Sequence, residues 1–194
     1  MIILDTSASM GVVRGKTVMA YNEYIDGLKR DKKVNYRVSL TQFNNNAWVR
    51  YQDVLVEAVP LMRKNDFVPS GCTALLDAVY DTVTNAQFRM VGEKSKFLCV
   101  VFTDGEENMS KRASQAQVKS LIAETQAGGK WTYLYMGSHP ETWAASEGLG
   151  ISKGNTISFN AGDEVLASKR LLRGTQMYAS ASTGRTDEFF EGTE

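Results

Sequence analysis

Lys96-Phe97-Leu98-Cys99-Val100-Val101-Phe102-Thr103-Asp104 is a continuous apolar run, rich in β-branched residues, that stops at an aspartate followed by Gly105. Such a run reads as a central strand covered on both faces. Met1-Ile2-Ile3-Leu4-Asp5 repeats the design at the start of the chain. It too is apolar, ends in an aspartate, and passes into the small polar stretch Thr6-Ser7-Ala8-Ser9-Met10-Gly11. Two buried strands that each deliver a carboxylate into a loop set the frame for everything between and after them.

Between them, apolar residues recur from Val18 through Tyr21, Ile25 and Leu28, the spacing of one helical face. The basic run Lys29-Arg30-Asp31-Lys32-Lys33 closes this helix favourably for its dipole and reads as a solvated helix end. Tyr36 to Phe43 alternates with period two, Asn44-Asn45-Asn46 interrupts, and Ala47 to Tyr51 alternates again. This is a β-hairpin, because asparagine tolerates the positive φ of a tight turn, and its second strand runs antiparallel to its first. An irregular connection leads to Thr73, and a helix resumes at Ala74 with Leu76, Val79, Tyr80 and Val83 on one side.

After Asp104 the pattern continues with a helix through Val118, Leu121, Ile122 and Thr125, then a strand from Trp131 to Met136. Pro140 suits the first turn of a short helix reaching Glu147, with His139 in the turn before it. A strand at Thr156 to Phe159 and a helix from Glu164 to about Ala179 complete the series. Strands alternating with helices at this spacing predict an α/β fold with a mostly parallel sheet and helices on both faces. Trp131, Tyr133 and Tyr135 alternate within their strand and read as core and flank, not as a stacking platform.

At 194 residues the chain suits one domain, expected over residues 1–180, with an acidic and flexible tail over 181–194. That tail carries Asp187, Glu188, Glu191 and Glu194 around Phe189-Phe190. Lysine plus arginine and aspartate plus glutamate both number 22, so no net field recruits nucleic acid or an anionic membrane. No apolar run approaches the roughly 18 residues needed to cross a bilayer, and no signal peptide is recognisable, so a cytoplasmic location is expected. Cys72 in a turn and Cys99 in a strand suggest no disulfide framework, with Cys72 read as a small packing residue. Two cysteines and the single His139, widely separated, cannot assemble a zinc site.

In an open α/β sheet, ligands bind beyond the carboxyl ends of the strands, near the point where strand order reverses. Asp5 and Asp104 both fall on that edge. Asp5-x-Ser7-x-Ser9 spaces a carboxylate and two hydroxyls two residues apart, so a locally extended loop can aim all three at one point. Taken alone, that triplet equally fits a turn and helix cap. Ser70-Gly71-Cys72-Thr73 adds a further hydroxyl at a helix start. Asp5, Ser7, Ser9, Thr73 and Asp104 thus form a set of hard oxygen donors suited to Mg2+, with Mn2+ or Ca2+ as substitutes. The donor set is incomplete, and a carboxylate from another molecule is its natural completion. Glu106 and Glu107 read as exposed loop acids, and Asp77 as support for the threonine loop or a cap of its helix.

At these residues the chain resembles a von Willebrand factor A domain carrying a metal-ion-dependent adhesion site. The family pattern is Asp-x-Ser-x-Ser after the first strand, a threonine before a later helix and an aspartate ending the fourth strand. Asp5, Ser7, Ser9, Thr73 and Asp104 fill those positions in order. Ile2 to Asp5, Ser70 to Ala78 and Thr103 to Asn108 further resemble small stand-alone prokaryotic and phage members, and the resemblance covers about residues 1 to 175. It implies a Rossmann-like three-layer sandwich with a six-stranded sheet whose antiparallel edge is the strand from Ala47 to Tyr51. It also implies that Ser7, Ser9 and Thr73 contact the metal directly while Asp5 and Asp104 act mainly through water. Two departures stand out: the first strand begins at Met1, and Ala8 replaces the usual glycine, which stiffens the loop without removing a donor.

The expected function is a metal-dependent protein-binding module whose partner presents an Asp or Glu, with no nucleic acid and no membrane involved. Self-association through the acidic tail is a narrower version of the same idea. One alternative is a Mg-dependent hydrolase or phosphoryl-transfer enzyme, since Asp5 ends a strand as a phosphatase nucleophile can. No phosphate-binding Gly-x-x-x-x-Gly-Lys loop and no Asp-x-Asp pair support it, and no catalytic residue is assigned. The other alternative is a structural subunit of a larger assembly, such as a virion or an ATPase-associated complex.

Overall fold

Alternate residues of the two apolar runs face opposite sides of one sheet. In a computed structural model that describes residues 1–88, 95–138, 141–160, 163–182 and 184–193, the first run forms β1 (Ile2–Asp5) and the second β4 (Phe97–Thr103). Ile2, Leu4 and Val100 pack to one side, and Ile3, Cys99 and Val101 to the other, so both strands are apolar throughout. β1 lies between β4 and β2 (Arg37–Phe43), parallel to each. Strand order reverses at the β1–β4 pair, because the sheet runs β3 (Ala47–Leu55), β2, β1, β4, β5 (Trp131–Gly137), β6 (Thr156–Ser158).

β2 turns at Asn44 to Asn46 into the antiparallel edge strand β3 (Ala47–Leu55), which extends four residues beyond the expected stretch. Its register shifts twice against β2, and Asp53, at φ 52°, is the one non-glycine residue with positive φ among those described. On the other side β5 (Trp131–Gly137) and the short β6 (Thr156–Ser158) continue the parallel sheet.

Helices α1 (Arg14–Arg30) and α5 (Glu164–Ser180) cover one face. Helices α2 (Leu75–Gln87), α3 (Gln115–Ala127) and α4 (Thr142–Gly148) cover the other. This is the mostly parallel three-layer sandwich that the sequence pattern predicts. Trp131, Tyr133 and Tyr135 all lie in the core on α3's side of the sheet, with Trp131 stacked on Tyr133. His139 and Pro140 lie outside the described residues. No described helix is long and apolar enough to cross a membrane.

The tail departs from expectation. Instead of hanging free after residue 180, it crosses the starts of β5 and β6 and is pinned there. Phe189 and Phe190 are buried and meet edge to face. The Phe190 N–H donates to the Gly154 carbonyl at 2.9 Å, the Phe189 N–H to Asn155 Oδ1 at 2.9 Å, and the Thr186 N–H to Thr132 Oγ1 at 3.0 Å. Glycines at 154 and 174 make the seat: a methyl group at the first would strike the Asp187 backbone, and at the second the Phe189 ring. The acidic composition misleads because two aromatic side chains outweigh it, each worth about 2 kcal/mol on burial.

Candidate metal centre

β1 and β4 end side by side, so their terminal residues meet at the point of strand-order reversal. Asp5, the last residue of β1, is fully buried. Its Oδ1 accepts the Ser7 N–H at 2.6 Å and its Oδ2 accepts the Thr103 hydroxyl at 2.6 Å. Burial raises its pKa above the ordinary carboxylate value, against these hydrogen bonds and with a further push from the neighbouring Asp104 charge.

The chain beyond Asp5 is held extended long enough to present its hydroxyls together. Thr6 donates through both its N–H and its hydroxyl to the Phe43 carbonyl at the end of β2. A one-turn 3-10 helix over Ala8–Gly11 then carries Ser9 back over the sheet. Ser7 Oγ and Ser9 Oγ lie 3.0 Å apart, and Ser9 Oγ donates to Asp104 Oδ1 at 2.7 Å. Thr103, Asp5, Ser7, Ser9 and Asp104 are thus linked in one hydrogen-bonded chain.

Thr73 closes the circle from the other side. The Ala8 N–H donates to the Gly71 carbonyl at 3.0 Å and the Ser70 N–H to the Thr6 carbonyl at 2.8 Å, which ties the threonine loop to the serine loop. Gly105 shows how near the donors are. A methyl group there would sit 3.2 Å from Thr73 Oγ1, 3.5 Å from Ser9 Oγ and 3.9 Å from Asp5 Oδ2. All five expected residues therefore converge, and the missing side chain at Gly105 keeps their common space open.

Among the described residues no cluster of three or more His, Cys, Asp or Glu side chains forms. The donors on offer are two carboxylates and three hydroxyls, a set that fits a small hard cation and not zinc.

Several neighbours differ from their sequence reading. Glu107 is not a free loop acid: its Oε1 accepts the N–H groups of Met109 and Ser110, and its Oε2 accepts the Leu76 N–H and the Ser110 hydroxyl. Asp77 supports the loop after β4 instead of the threonine loop, accepting the N–H groups of Lys111, Arg112 and Ala113. Burial alone would raise its pKa, but those three N–H groups and the Arg112 charge hold it below the ordinary value. Cys72 is an exposed free thiol at the rim, while Cys99 is a buried one. Thr103 and Gly105 are the site residues that the spacing argument missed; the signal was a hydroxyl closing an otherwise apolar strand.

No protein-family model matches the chain, and no curated protein matches it in sequence. Solved structures do match. Proximal thread matrix protein 1 of the mussel byssus superposes with a TM-score of 0.65 at 15% identity, over 88% of this chain and 46% of that one. The manganese-loaded TRAP protein of Plasmodium vivax gives 0.60 at 15% identity, over 88% of this chain and 71% of that one. A von Willebrand factor type A structure from Catenulispora acidiphila gives 0.59 at 16% identity, over 90% and 41%.

The fold is that of a von Willebrand factor A domain. The present chain spans less than half of the mussel and Catenulispora chains. Within the von Willebrand factor A fold, the five donors stand at the carboxyl edge of the sheet, on the loops after β1 and β4 and on the one before α2.

Proposed function

We propose that this von Willebrand factor A domain is a metal-dependent protein-binding module. The observation that carries the reading is the convergence around Gly105, where Asp5, Ser9 and Thr73 oxygens lie within 4 Å of one point and Asp104 is bound to Ser9. Ser7, Ser9 and Thr73 would hold the ion directly, and Asp5 and Asp104 would support it. Three neutral donors leave a divalent cation largely uncompensated, so when bound it supplies an electrophilic position for a carboxylate from a protein partner. A manganese-loaded neighbour with the same fold supports the choice of a hard divalent cation, with Mg2+ as the first candidate.

The state of Asp5 supports this reading. Both its oxygens accept hydrogen bonds, from the Ser7 N–H and the Thr103 hydroxyl, as suits a carboxylate held in place to support an ion. The test is capture of partners from the native source on immobilised wild type and Asp104→Ala, with Mg2+ and with EDTA. Capture by wild type alone, lost in EDTA, is expected; capture that survives both EDTA and the substitution refutes the proposal.

A further inference from the structure

The threonine loop hangs from three asparagines. Cys72, Thr73 and Ala74 are consecutive, and each gives its backbone N–H to one of them. The Cys72 N–H donates to Asn45 Oδ1 at 2.7 Å, the Thr73 N–H to Asn108 Oδ1 at 2.9 Å, and the Ala74 N–H to the Asn44 carbonyl at 2.8 Å. Asn108 grips twice, since its own N–H donates to the Thr73 carbonyl at 3.1 Å. Asn44 and Asn45 belong to the hairpin turn between β2 and β3, whereas Asn108 belongs to the loop after β4. Thr73 is therefore clamped between two elements on opposite sides of the reversal point. Gly71 makes room for the clamp: it has φ 74°, and a side chain there would run into Asn45 Oδ1.

Two physical points follow. A carboxamide oxygen fixes an N–H as a carboxylate would, yet adds no negative charge beside the cation, so the loop is held while the ion stays electrophilic. Rigidity of a donor also matters unequally between ions. Mg2+ demands near-ideal octahedral geometry, whereas Ca2+ accepts longer and less regular coordination.

We infer that Asn45 and Asn108 are positioning residues that fix Thr73 Oγ1 against the serine hydroxyls and so set the site's preference for a small cation over Ca2+. This rests on the metal-binding reading above. The experiment is calorimetric titration of the full chain with Mg2+ and, separately, with Ca2+, for wild type, Asn45→Ala, Asn108→Ala and Asn108→Asp.

In each alanine variant the Kd for Mg2+ should rise about tenfold or more and that for Ca2+ by less than about threefold, the scale on which partners of metal ligands usually act. Asn108→Asp keeps an acceptor for the Thr73 N–H, and its extra charge acts on both ions alike, so its ratio of Mg2+ to Ca2+ affinity should return to the wild-type value. Alanine variants that weaken both ions by one factor, or neither, overturn the inference and leave the metal site standing. A lowered melting temperature in EDTA with an unchanged ratio overturns it equally, since the asparagines would then be structural alone. Wild type that binds neither ion overturns the metal reading and the inference together. Both asparagines are exposed loop residues, and if one alanine variant does not fold the other gives the same answer.

Discussion

Ser9 Oγ donates a 2.7 Å hydrogen bond to Asp104 Oδ1, joining the loop after β1 to the loop after β4 across 95 residues of sequence. Asp104 lies at the rim, half-buried, so its removal should cost little stability. We expect that Mg2+ at ten times its Kd stabilises wild type by about 1.4 kcal/mol, or about 3 to 6 °C, after treatment with EDTA. Asp104→Ala should melt near the wild-type temperature in EDTA and lose that increment. Thermal unfolding with and without Mg2+ checks this, and an equal shift in the variant would refute it.

Asp5 makes the opposite kind of prediction. Its pKa is raised by burial, so the charged form is disfavoured in the metal-free fold, and stability present at low pH is lost as the pH rises through the folded value. Asp5→Asn keeps an acceptor for the Ser7 N–H and offers Thr103 a donor in place of an acceptor. In EDTA at neutral pH the variant should be at least as stable as wild type, yet show no Mg2+-induced shift. A variant much less stable than wild type in EDTA would contradict this account of Asp5.

Gly105 tests the open space. It is not a positive-φ glycine, so the backbone accepts a side chain there, and that side chain would crowd the Thr73, Ser9 and Asp5 oxygens. Gly105→Val should weaken Mg2+ binding by about tenfold or more, while stability in EDTA changes by about 1 kcal/mol or less. Wild-type affinity in the valine variant would show that the ion sits elsewhere.

Asp77 supplies the pH dependence. Its folded pKa is depressed, so its contribution is present above the ordinary carboxylate value and is lost as the pH falls through the folded one. Asp77→Asn leaves at least one of the three N–H groups, one buried and two part-buried, without its acceptor and removes the charge beside Arg112, which should cost about 1 kcal/mol at pH 7. The gap between variant and wild type should close as the pH falls below about 4. Urea unfolding across that range reads the gap directly, and a difference independent of pH would be inconsistent with a charged acceptor.

The tail is a stability element. Phe189 is 4% exposed against Gly174, Tyr178 and Phe190, so Phe189→Ala should destabilise the domain by about 3 kcal/mol. The packing also bears on self-association: with the tail pinned across the starts of β5 and β6, Asp187, Glu188 and Glu191 stay exposed but are presented from a fixed surface instead of a free peptide. Equilibrium unfolding that leaves Phe189→Ala as stable as wild type would restore the free tail.

Local pattern carried the parts of this molecule that are locally determined. The apolar runs of β1 and β4, the alternation of β2 and the helical spacing of α1 and α2 are legible because period and burial are written in adjacent residues. The meeting of Asp5, Ser7, Ser9, Thr73 and Asp104 was legible because each lies at or just beyond the end of a strand or before a helix, where topology places it on one edge. What stayed hidden is non-local. Nothing near Asn45 or Asn108 announces that its carboxamide meets the Cys72 or Thr73 backbone, and nothing near Glu107 announces the Leu76 N–H. The tail misled for a related reason, since its seat is made by glycines 154 and 174 on other elements.

β1 is only four residues long, yet it pairs with β2 at all four residues and with β4 from Ile2 to Leu4, and Asp5 is its last residue. A partner that completed the proposed site would sit beyond Asp5, at the end of that strand. Tension applied through such a partner would run lengthwise down β1 and pass into two ladders at once, which resist it as parallel rows in shear instead of opening one bond at a time.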